Sequence, residues 1–139
     1  MAARFFLDTN LFAYTFDVRS DAKRERAQSL VADAMNGRGI ISYQVVQECL
    51  HFLLRKLARP MSAGEASDYL EKVLMPLCRV MPASSLYVDA ITISSETGWT
   101  FYDSLIVSAA AAGGCKILYT EDLQPGRVIR GVKIQNPFA

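Results

Sequence analysis

Short apolar runs alternate along this chain with longer stretches in which apolar residues recur every three or four positions. Short runs of this kind are typical of buried strands, and the wider spacing is typical of helices. Strands are therefore predicted over residues 4–7, 39–42, 79–81, 115–119 and 132–134, the last as an edge strand. Helices are predicted over residues 9–16, 21–35, 43–58, 62–78, 84–96 and 103–112. This alternation predicts an α/β fold with a mostly parallel sheet.

Several of these helices carry specific signals at their ends. The residue before a proline avoids helical geometry, so the third helix is expected to end at Ala58, stopped by Arg59 and Pro60. Ser62 and Glu65 have the spacing of a capping box, which predicts the start of the next helix. Gly98 is a natural stop for the helix that precedes it.

The composition predicts one globular domain over residues 1–139 and excludes several classes of protein. Hydrophobic residues make up 51% of the chain, which excludes a disordered or collagen-like chain. Fifteen Lys and Arg residues against 14 Asp and Glu give a net charge of +1, so any polyanion must be bound by local patches. Three scattered cysteines support neither a disulfide scaffold nor a zinc knuckle. With neither a membrane-spanning run nor a signal-peptide core visible, we expect a cytoplasmic protein.

Four acidic residues stand where an α/β fold would place a site. Asp8 follows the first strand and Asp122 follows a late one, so both are expected at the carboxyl edge of the sheet. Asp103 opens a helix, and Glu48 lies inside one. Each has a simpler explanation: Asp8 and Asp103 could be helix N-caps, Asp122 a turn residue and Glu48 a solvated side chain. The single histidine, His51, is interpreted as a helix-surface residue.

The position of Glu48 on its helix weakens the simplest of these explanations. On a helical wheel Val46, Leu50, Leu53 and Leu57 form one apolar face, from which Glu48 is set well apart. A surface glutamate gains from a cation four residues away, but those positions hold Gln44 and Phe52. Ion pairing within the helix therefore does not account for this residue.

If the four carboxylates meet, their chemistry selects a hard divalent cation. Two carboxylates about 4 Å apart repel each other by roughly 4 kcal/mol at an effective dielectric constant near 20. Several in one cleft therefore need a bound cation or a proton. Oxygen ligands without a histidine or cysteine cluster favour Mg²⁺, with Mn²⁺ as a substitute, over Zn²⁺.

Four short motifs, in order, resemble those of one nuclease family. The segments at residues 6–10 (Phe-Leu-Asp-Thr-Asn), 42–48 (Ser-Tyr-Gln-Val-Val-Gln-Glu), 102–106 (Tyr-Asp-Ser-Leu-Ile) and 119–123 (Tyr-Thr-Glu-Asp-Leu) resemble the acidic motifs of PIN-domain nucleases. Their order and spacing, with the ending Asn-Pro-Phe at 136–138, are most similar to VapC-type toxins of bacterial type II toxin–antitoxin pairs. The resemblance spans nearly the whole chain and implies a PIN-like three-layer α/β/α sandwich.

This resemblance implies roles for particular residues. Asp8, Glu48, Asp103 and Asp122 would form the catalytic, metal-binding cluster, with Asp8 and Asp103 as the most direct ligands. Asn10 and Thr120 would orient these carboxylates by hydrogen bonds. Glu121 is the nearest rival to Asp122, but the family motif favours Asp122. The implied reaction is Mg²⁺-dependent hydrolysis of RNA phosphodiesters.

The resemblance also implies partners: an RNA substrate, a cognate antitoxin that covers the cleft, and a second copy of the chain in a homodimer. Candidate RNA contacts come from three basic clusters, represented by Arg24, Arg55 and Arg127. Each cluster could instead be a solvated face or a helix-dipole partner.

Three other functions stay open at this stage. The chain could be a non-toxin PIN-fold nuclease of RNA processing, or an RNA-binding module on the same fold. A Mg²⁺-dependent phosphatase also begins with a strand-terminal Asp, but its Asp-x-Asp pattern would need a second acid where Asn10 stands.

Overall fold

The computed structural model describes residues 4–139 and places six strands in one sheet. The strands are β1 (Phe5–Leu7), β2 (Gly39–Ser42), β3 (Cys78–Val80), β4 (Ile117–Tyr119), β5 (Val128–Ile129) and β6 (Val132–Gln135). Their order across the sheet is β3-β2-β1-β4-β6-β5, and every neighbouring pair is parallel except β5 and β6. The predicted α/β fold with a short, mostly parallel sheet is confirmed.

Within residues 4–139, seven helices connect the strands. They are α1 (Thr9–Tyr14), α2 (Asp21–Asp33), α3 (Tyr43–Arg55), α4 (Ala63–Tyr69), α5 (Met75–Leu77), α6 (Ser84–Thr97) and α7 (Phe101–Ala112), with π-helical segments at Ala34–Arg38 and Leu70–Leu74. The chain moves from β1 outward to β3 and then crosses back beyond β1 to β4. Because parallel crossovers are right-handed, this reversal puts α1–α5 on one face of the sheet and α6 and α7 on the other. The result is the expected three-layer α/β/α sandwich.

The order of the strands reverses at β1, and this decides where a site can form. β1 pairs with β2 on one side and with β4 on the other. The loops that follow β1 and β4 therefore leave the sheet in different directions and open a crevice at the carboxyl edge. Asp8 is the first residue after β1, so it lies at this crevice.

The position of the core explains why the central strands carry bulky apolar residues. Phe6, Leu7, Ile41 and Leu118 are completely or almost completely buried, because helices cover both faces of the sheet. No helix within residues 4–139 is both long and apolar enough to cross a membrane.

Several element boundaries differ from the prediction, among them those of the third and fourth helices and of the third strand. The third helix ends at Arg55 rather than near Pro60, because the backbone N–H groups of Lys56 and Leu57 both donate to the carbonyl of Phe52. The fourth predicted helix is interrupted by a π-helical segment, although its capping box is present as predicted. The third strand begins and ends one residue earlier than predicted.

The last predicted strand was wrongly placed at the edge of the sheet. β6 is an internal strand, because β5 pairs with it in an antiparallel hairpin and forms the edge. The hairpin turns at Arg130 and Gly131, both with positive φ (53° and 78°). Asn or Asp is the usual first residue of such a turn, so Arg130 gave no turn signal. Its guanidinium is tied to Asp89 and Glu96 of α6, at 3.0 and 3.1 Å.

Candidate active site

Asp8 is a buried carboxylate fixed between two neighbouring strands. Its exposed fraction is 6%, its Oδ1 accepts from the backbone N–H of Thr9 at 2.7 Å, and its Oδ2 accepts from Thr120 Oγ1 at 2.8 Å. The parallel pairing of Leu7 with Tyr119 places the residues after both strands side by side, which is why Thr120 reaches Asp8. Asp8 also caps α1, so the N-cap interpretation of this residue is correct.

Glu48 is held beside Asp8 by hydrogen bonds from two elements. Thr9 Oγ1 donates to Glu48 Oε1 at 2.6 Å, and Gln44 Nε2 donates to Oε2 at 3.2 Å. The buried face of α3 is formed by Val45, Val46, Cys49 and Leu53, so it is rotated toward Glu48 compared with the face that the sequence predicted. Glu48 is therefore a half-buried residue at the border of the core, and the solvated interpretation is wrong.

Asp103 lies in the first turn of α7 but does not cap it. The N-cap is Thr100, whose hydroxyl accepts from the Asp103 backbone N–H at 3.2 Å. The N-cap interpretation of Asp103 was wrong because α7 begins two residues earlier than predicted. The side chain of Asp103 carries no capping duty and is half-buried.

Asp122 follows β4 and completes the group of acids. Its backbone N–H donates to Thr120 Oγ1 at 3.0 Å, so the hydroxyl that donates to Asp8 also positions Asp122. Thr120 is fully buried. The predicted orienting role of Thr120 agrees with both contacts.

The four acids are close enough to influence one another's ionisation. Burial raises the pKa of Asp8 to about 7, against the opposing hydrogen bonds from Thr120 and Thr9, and the charges of Asp122 and Glu48 raise it further. Partial burial and the charge of Asp103 raise the pKa of Asp122. Residues 4–139 place no Lys, Arg or His within ion-pairing distance of these four carboxylates.

Asn10 presents an unsatisfied polar group at the same place. Its amide nitrogen and its side-chain oxygen are both buried and have no hydrogen-bond partner of normal geometry among the described residues. The amide still lies near enough to Asp122 to favour the ionised carboxylate and so to oppose the rise in its pKa. Buried polar atoms without partners are uncommon in folded proteins, and they are expected where a ligand or an ion supplies the missing contacts.

Glu121 belongs to a different cluster, although it directly precedes Asp122. It accepts a hydrogen bond from Tyr14 and pairs with Lys23 at 3.0 Å. Burial would raise the pKa of Glu121, but these two contacts outweigh it and lower that pKa. The ring of Phe138 packs on Tyr14, with ring centroids 4.9 Å apart. Glu121 thus fastens the loop after β4 to α1 and α2.

The acids Glu48 and Asp122 line an open cleft of about 570 Å³. Asn10 and Thr9 contribute to the same wall, and His51 and Lys56 of α3 also line the cleft. We refer to this cavity as the acidic cleft. Lys56 brings a positive charge, and His51 brings ring nitrogens that can form hydrogen bonds, to a cavity whose other polar side chains are acidic or neutral.

Lys56, next to Arg55 in the second predicted basic cluster, lines this cleft, whereas Arg24, Arg55 and Arg127 do not. Arg24 is engaged by Asp21 at 2.7 Å and by the carbonyl of Asp17. Arg55 is exposed at the end of α3. Arg127 lies over the ring of Trp99, with its guanidinium carbon 4.9 Å from the ring centroid.

The described residues fit a hard cation in charge and ligand type but do not form a ready-made ligand set. No three Asp, Glu, His or Cys side chains within residues 4–139 are already arranged to hold a metal ion. Carboxylate oxygens without a cationic partner and the unpaired side-chain oxygen of Asn10 are nevertheless ligands of the type that Mg²⁺ prefers. Side-chain rotation within the cleft would have to complete the coordination.

An α/β sandwich with acidic residues at the reversal point of a parallel sheet defines a class of fold, and comparison with known proteins places the chain within it. The family model of the PIN domain matches residues 5–130. The chain therefore belongs to the PIN domain family. Comparison with curated proteins gave no match.

Solved structures of similar fold include toxin–antitoxin proteins. The DNA-bound VapBC of Salmonella typhimurium is 20% identical, with a TM-score of 0.66 over 98% of this chain and 99% of that one. VapC20 of Mycobacterium tuberculosis, a sarcin-ricin loop cleaving toxin, is 18% identical, with a TM-score of 0.61 over 85% and 89%. A toxin–antitoxin complex from Klebsiella pneumoniae is 16% identical, with a TM-score of 0.66 over 95% and 96%. At these identities the likeness establishes the fold.

Some contributors to the site were not identified from the sequence. Thr9 and Gln44 position Glu48, and Gln47 and His51 line cavities next to the acids. The helical spacing of Gln44, Gln47, Glu48 and His51 on α3 was a usable signal, because residues three and four apart share a helix face.

Proposed function

We propose that this protein is a Mg²⁺-dependent endoribonuclease that acts as the toxin of a toxin–antitoxin pair. The observation that carries the proposal is the convergence of Asp8, Glu48, Asp103 and Asp122. They come from four separate segments: the charges of Asp122 and Glu48 act on Asp8, and the charge of Asp103 acts on Asp122. None of the four has a cationic partner among residues 4–139. Gathered negative charge of this kind is costly to a fold, so a bound cation is its simplest explanation.

In this proposal Asp8 and Asp103 are the most direct ligands of the ion, and Glu48 and Asp122 complete the acidic set. When bound, Mg²⁺, or Mn²⁺ in its place, would supply positive charge to phosphoryl oxygens and make a water molecule easier to deprotonate. Thr120 and Asn10 keep the carboxylates oriented. Water adds across one P–O bond of the RNA, so the products are a 5′-phosphate and a 3′-hydroxyl.

Other residues of the chain position the Glu48 carboxylate and bind the substrate. The hydrogen bonds from Thr9 and Gln44 hold both oxygens of Glu48 in place, so its charge is fixed before substrate arrives. Lys56 and His51 can hold phosphate oxygens of an RNA strand in the acidic cleft. The cleft is open, as a site for an extended polymer must be. Arg24, Arg55 and Arg127 stay predicted contacts for more distant parts of the RNA.

A protein antitoxin is the second partner in this proposal. Solved toxin–antitoxin complexes contain chains of the same fold. Since the four carboxylates have no ion-pair partner among residues 4–139, they would accept a basic side chain from such a protein. We also expect a homodimer, and we place the protein in the cytoplasm, where RNA and a partner would be met.

The nuclease assignment is tested with purified protein and single-stranded RNA. Cleavage should require Mg²⁺, stop in EDTA and be lost in Asp8→Asn and Asp103→Asn. Asp68→Asn is the matched control, because it removes an exposed carboxylate of α4 whose one ion-pair partner among residues 4–139 is Lys72. Mapping of the RNA ends should give 5′-phosphates.

Other outcomes would overturn the assignment. Release of phosphate from a small monoester, with RNA left intact, would show a phosphatase. RNA binding without cleavage at any metal concentration would show a binding module. Growth arrest on expression, relieved by the product of an adjacent gene but not by an unrelated protein, tests the toxin role; cleavage without arrest would instead favour an RNA-processing nuclease.

A further inference from the structure

A second cavity, of about 250 Å³, adjoins the acidic cleft. Gln47 lines both cavities. Gln44 lines the second one and links it to the acids, since its Nε2 donates to Glu48 Oε2 and to the carbonyl of Tyr102, each at 3.2 Å. Tyr102 itself directly precedes Asp103. The two cavities are therefore neighbours across one wall of α3.

The lining of the second cavity is aromatic and uncharged. Tyr43, Tyr87, Phe101 and Tyr102 contribute rings, and the remaining lining residues are apolar or neutral. Tyr43 and Tyr102 are 41% and 66% exposed, which is unusual for large side chains with apolar faces. We call this cavity the aromatic pocket. Walls without charge give no reason for a phosphate to bind there, whereas aromatic rings favour a flat, neutral group.

One hydrogen-bond acceptor at the wall of the aromatic pocket has no partner. Gln44 Oε1 is buried and makes no hydrogen bond to any described residue. The orientation of this amide is fixed, because turning it over would place its oxygen against the carboxylate of Glu48 and the carbonyl of Tyr102. A ligand with an N–H group, after a small movement of the wall, would supply the missing donor.

We propose that the aromatic pocket binds one unstacked base of the single-stranded RNA whose phosphate lies in the acidic cleft. This inference rests on the proposed function and names the form in which the substrate is recognised. Bases of single-stranded RNA stack on exposed aromatic side chains and present N–H groups along their edges. A stem of paired RNA cannot offer a free base, so the pocket selects single-stranded or looped RNA.

The test measures how much one base contributes to binding. Short single-stranded oligo(A) and oligo(U) RNAs, each with one abasic position moved stepwise along the strand, are titrated against the Asp8→Asn protein with Mg²⁺. One abasic position should raise Kd by roughly 5- to 150-fold, the range of base–aromatic stacking. The double variant Tyr43→Leu/Tyr102→Leu keeps the apolar surface and should remove this position dependence.

The matched control alters apolar surface outside the aromatic pocket. Val88→Ala and Ile91→Ala change exposed residues of α6 that do not line it, and they should leave the abasic profile unchanged. A flat abasic profile, or one that persists in the tyrosine double variant, overturns the inference. So does a change of molar mass in the tyrosine variant with an unchanged profile, because the pocket would then be covered by a second copy of the chain.

The inference and the proposed function fail in different ways. An abasic profile that depends on Tyr43 and Tyr102, together with no cleavage by the wild-type chain, would keep the base pocket and overturn the nuclease. Cleavage by the wild type, with a Kd that does not depend on the abasic position, would keep the nuclease and overturn the base pocket.

Discussion

Replacing Asp8 by asparagine should stabilise the metal-free protein at neutral pH while it abolishes cleavage. Asp8 is 6% exposed, and burial is the main cause that raises its pKa from 3.8 to about 7. Asparagine has nearly the same shape, remains a good N-cap for α1 and carries no charge. The substitution therefore removes the cost of a buried negative charge with little change in packing.

The size of the effect follows from the pKa. A rise from 3.8 to about 7 corresponds to about 4 kcal/mol of lost stability once the group is ionised in both the folded and the unfolded state. Between these two values the folded chain binds more protons than the unfolded chain, so wild-type stability falls as pH rises from about 4 to 7. The asparagine variant would lose one hydrogen bond of about 1 kcal/mol unless Thr120 turns its hydroxyl to accept. A net gain of about 3 kcal/mol above neutral pH is expected.

Urea unfolding in EDTA at about pH 5 and pH 8 measures this difference, with Trp99 as the single tryptophan reporter. The free energy of unfolding should fall with pH in the wild type and in the control Asp68→Asn, and should fall much less in Asp8→Asn, where the raised pKa of Asp122 still contributes. Mg²⁺ at pH 8 should stabilise the wild type and not Asp8→Asn. A parallel pH dependence in wild type and Asp8→Asn would refute the reasoning.

Three further predictions follow from individual contacts. Thr120→Val removes the hydroxyl that donates to Asp8 and accepts from Asp122, so RNA cleavage should drop by at least tenfold. Because the carboxylate of Asp8 loses a donor, its pKa should rise, and the loss of stability with rising pH should extend to a higher pH than in the wild type. An unchanged pH profile would contradict this. Gly39→Ala should lower the free energy of unfolding by about 1–3 kcal/mol, because a Cβ would lie 2.5 Å from the ring of Phe5. Gly64→Ala, which has open space in α4, should raise it by up to about 1 kcal/mol. Thermal unfolding measures both, and equal effects would be inconsistent with the packing. Lys56→Ala should raise KM for RNA several-fold with little change in kcat, as expected of a phosphate contact; a lower kcat at constant KM would exclude that role.

The alternation of strands and helices could be predicted because it depends on local patterns. Apolar runs such as Phe5–Leu7, the capping box at Ser62 and the helix stop at Gly98 are all legible within a few residues. The β5–β6 hairpin was not predicted, because Arg130 adopts a turn conformation that is disfavoured for arginine. Arg130 is held in this conformation by Asp89 and Glu96, which are distant in sequence.

The sequence by itself determined which four acids were candidates, since each follows a strand or lies on a helix within a recognisable motif. The sequence could not show which residues donate hydrogen bonds to these acids. The contacts of Thr9 with Glu48 and of Thr120 with Asp8 join residues 39 and 112 positions apart, and only the parallel pairing of β1 with β4 and the packing of α3 bring them together. The aromatic pocket is also a product of the tertiary structure, because its rings come from α3, α6 and α7. Local pattern fixes the elements, whereas long-range packing fixes burial, and burial is what gives Asp8 its unusual pKa.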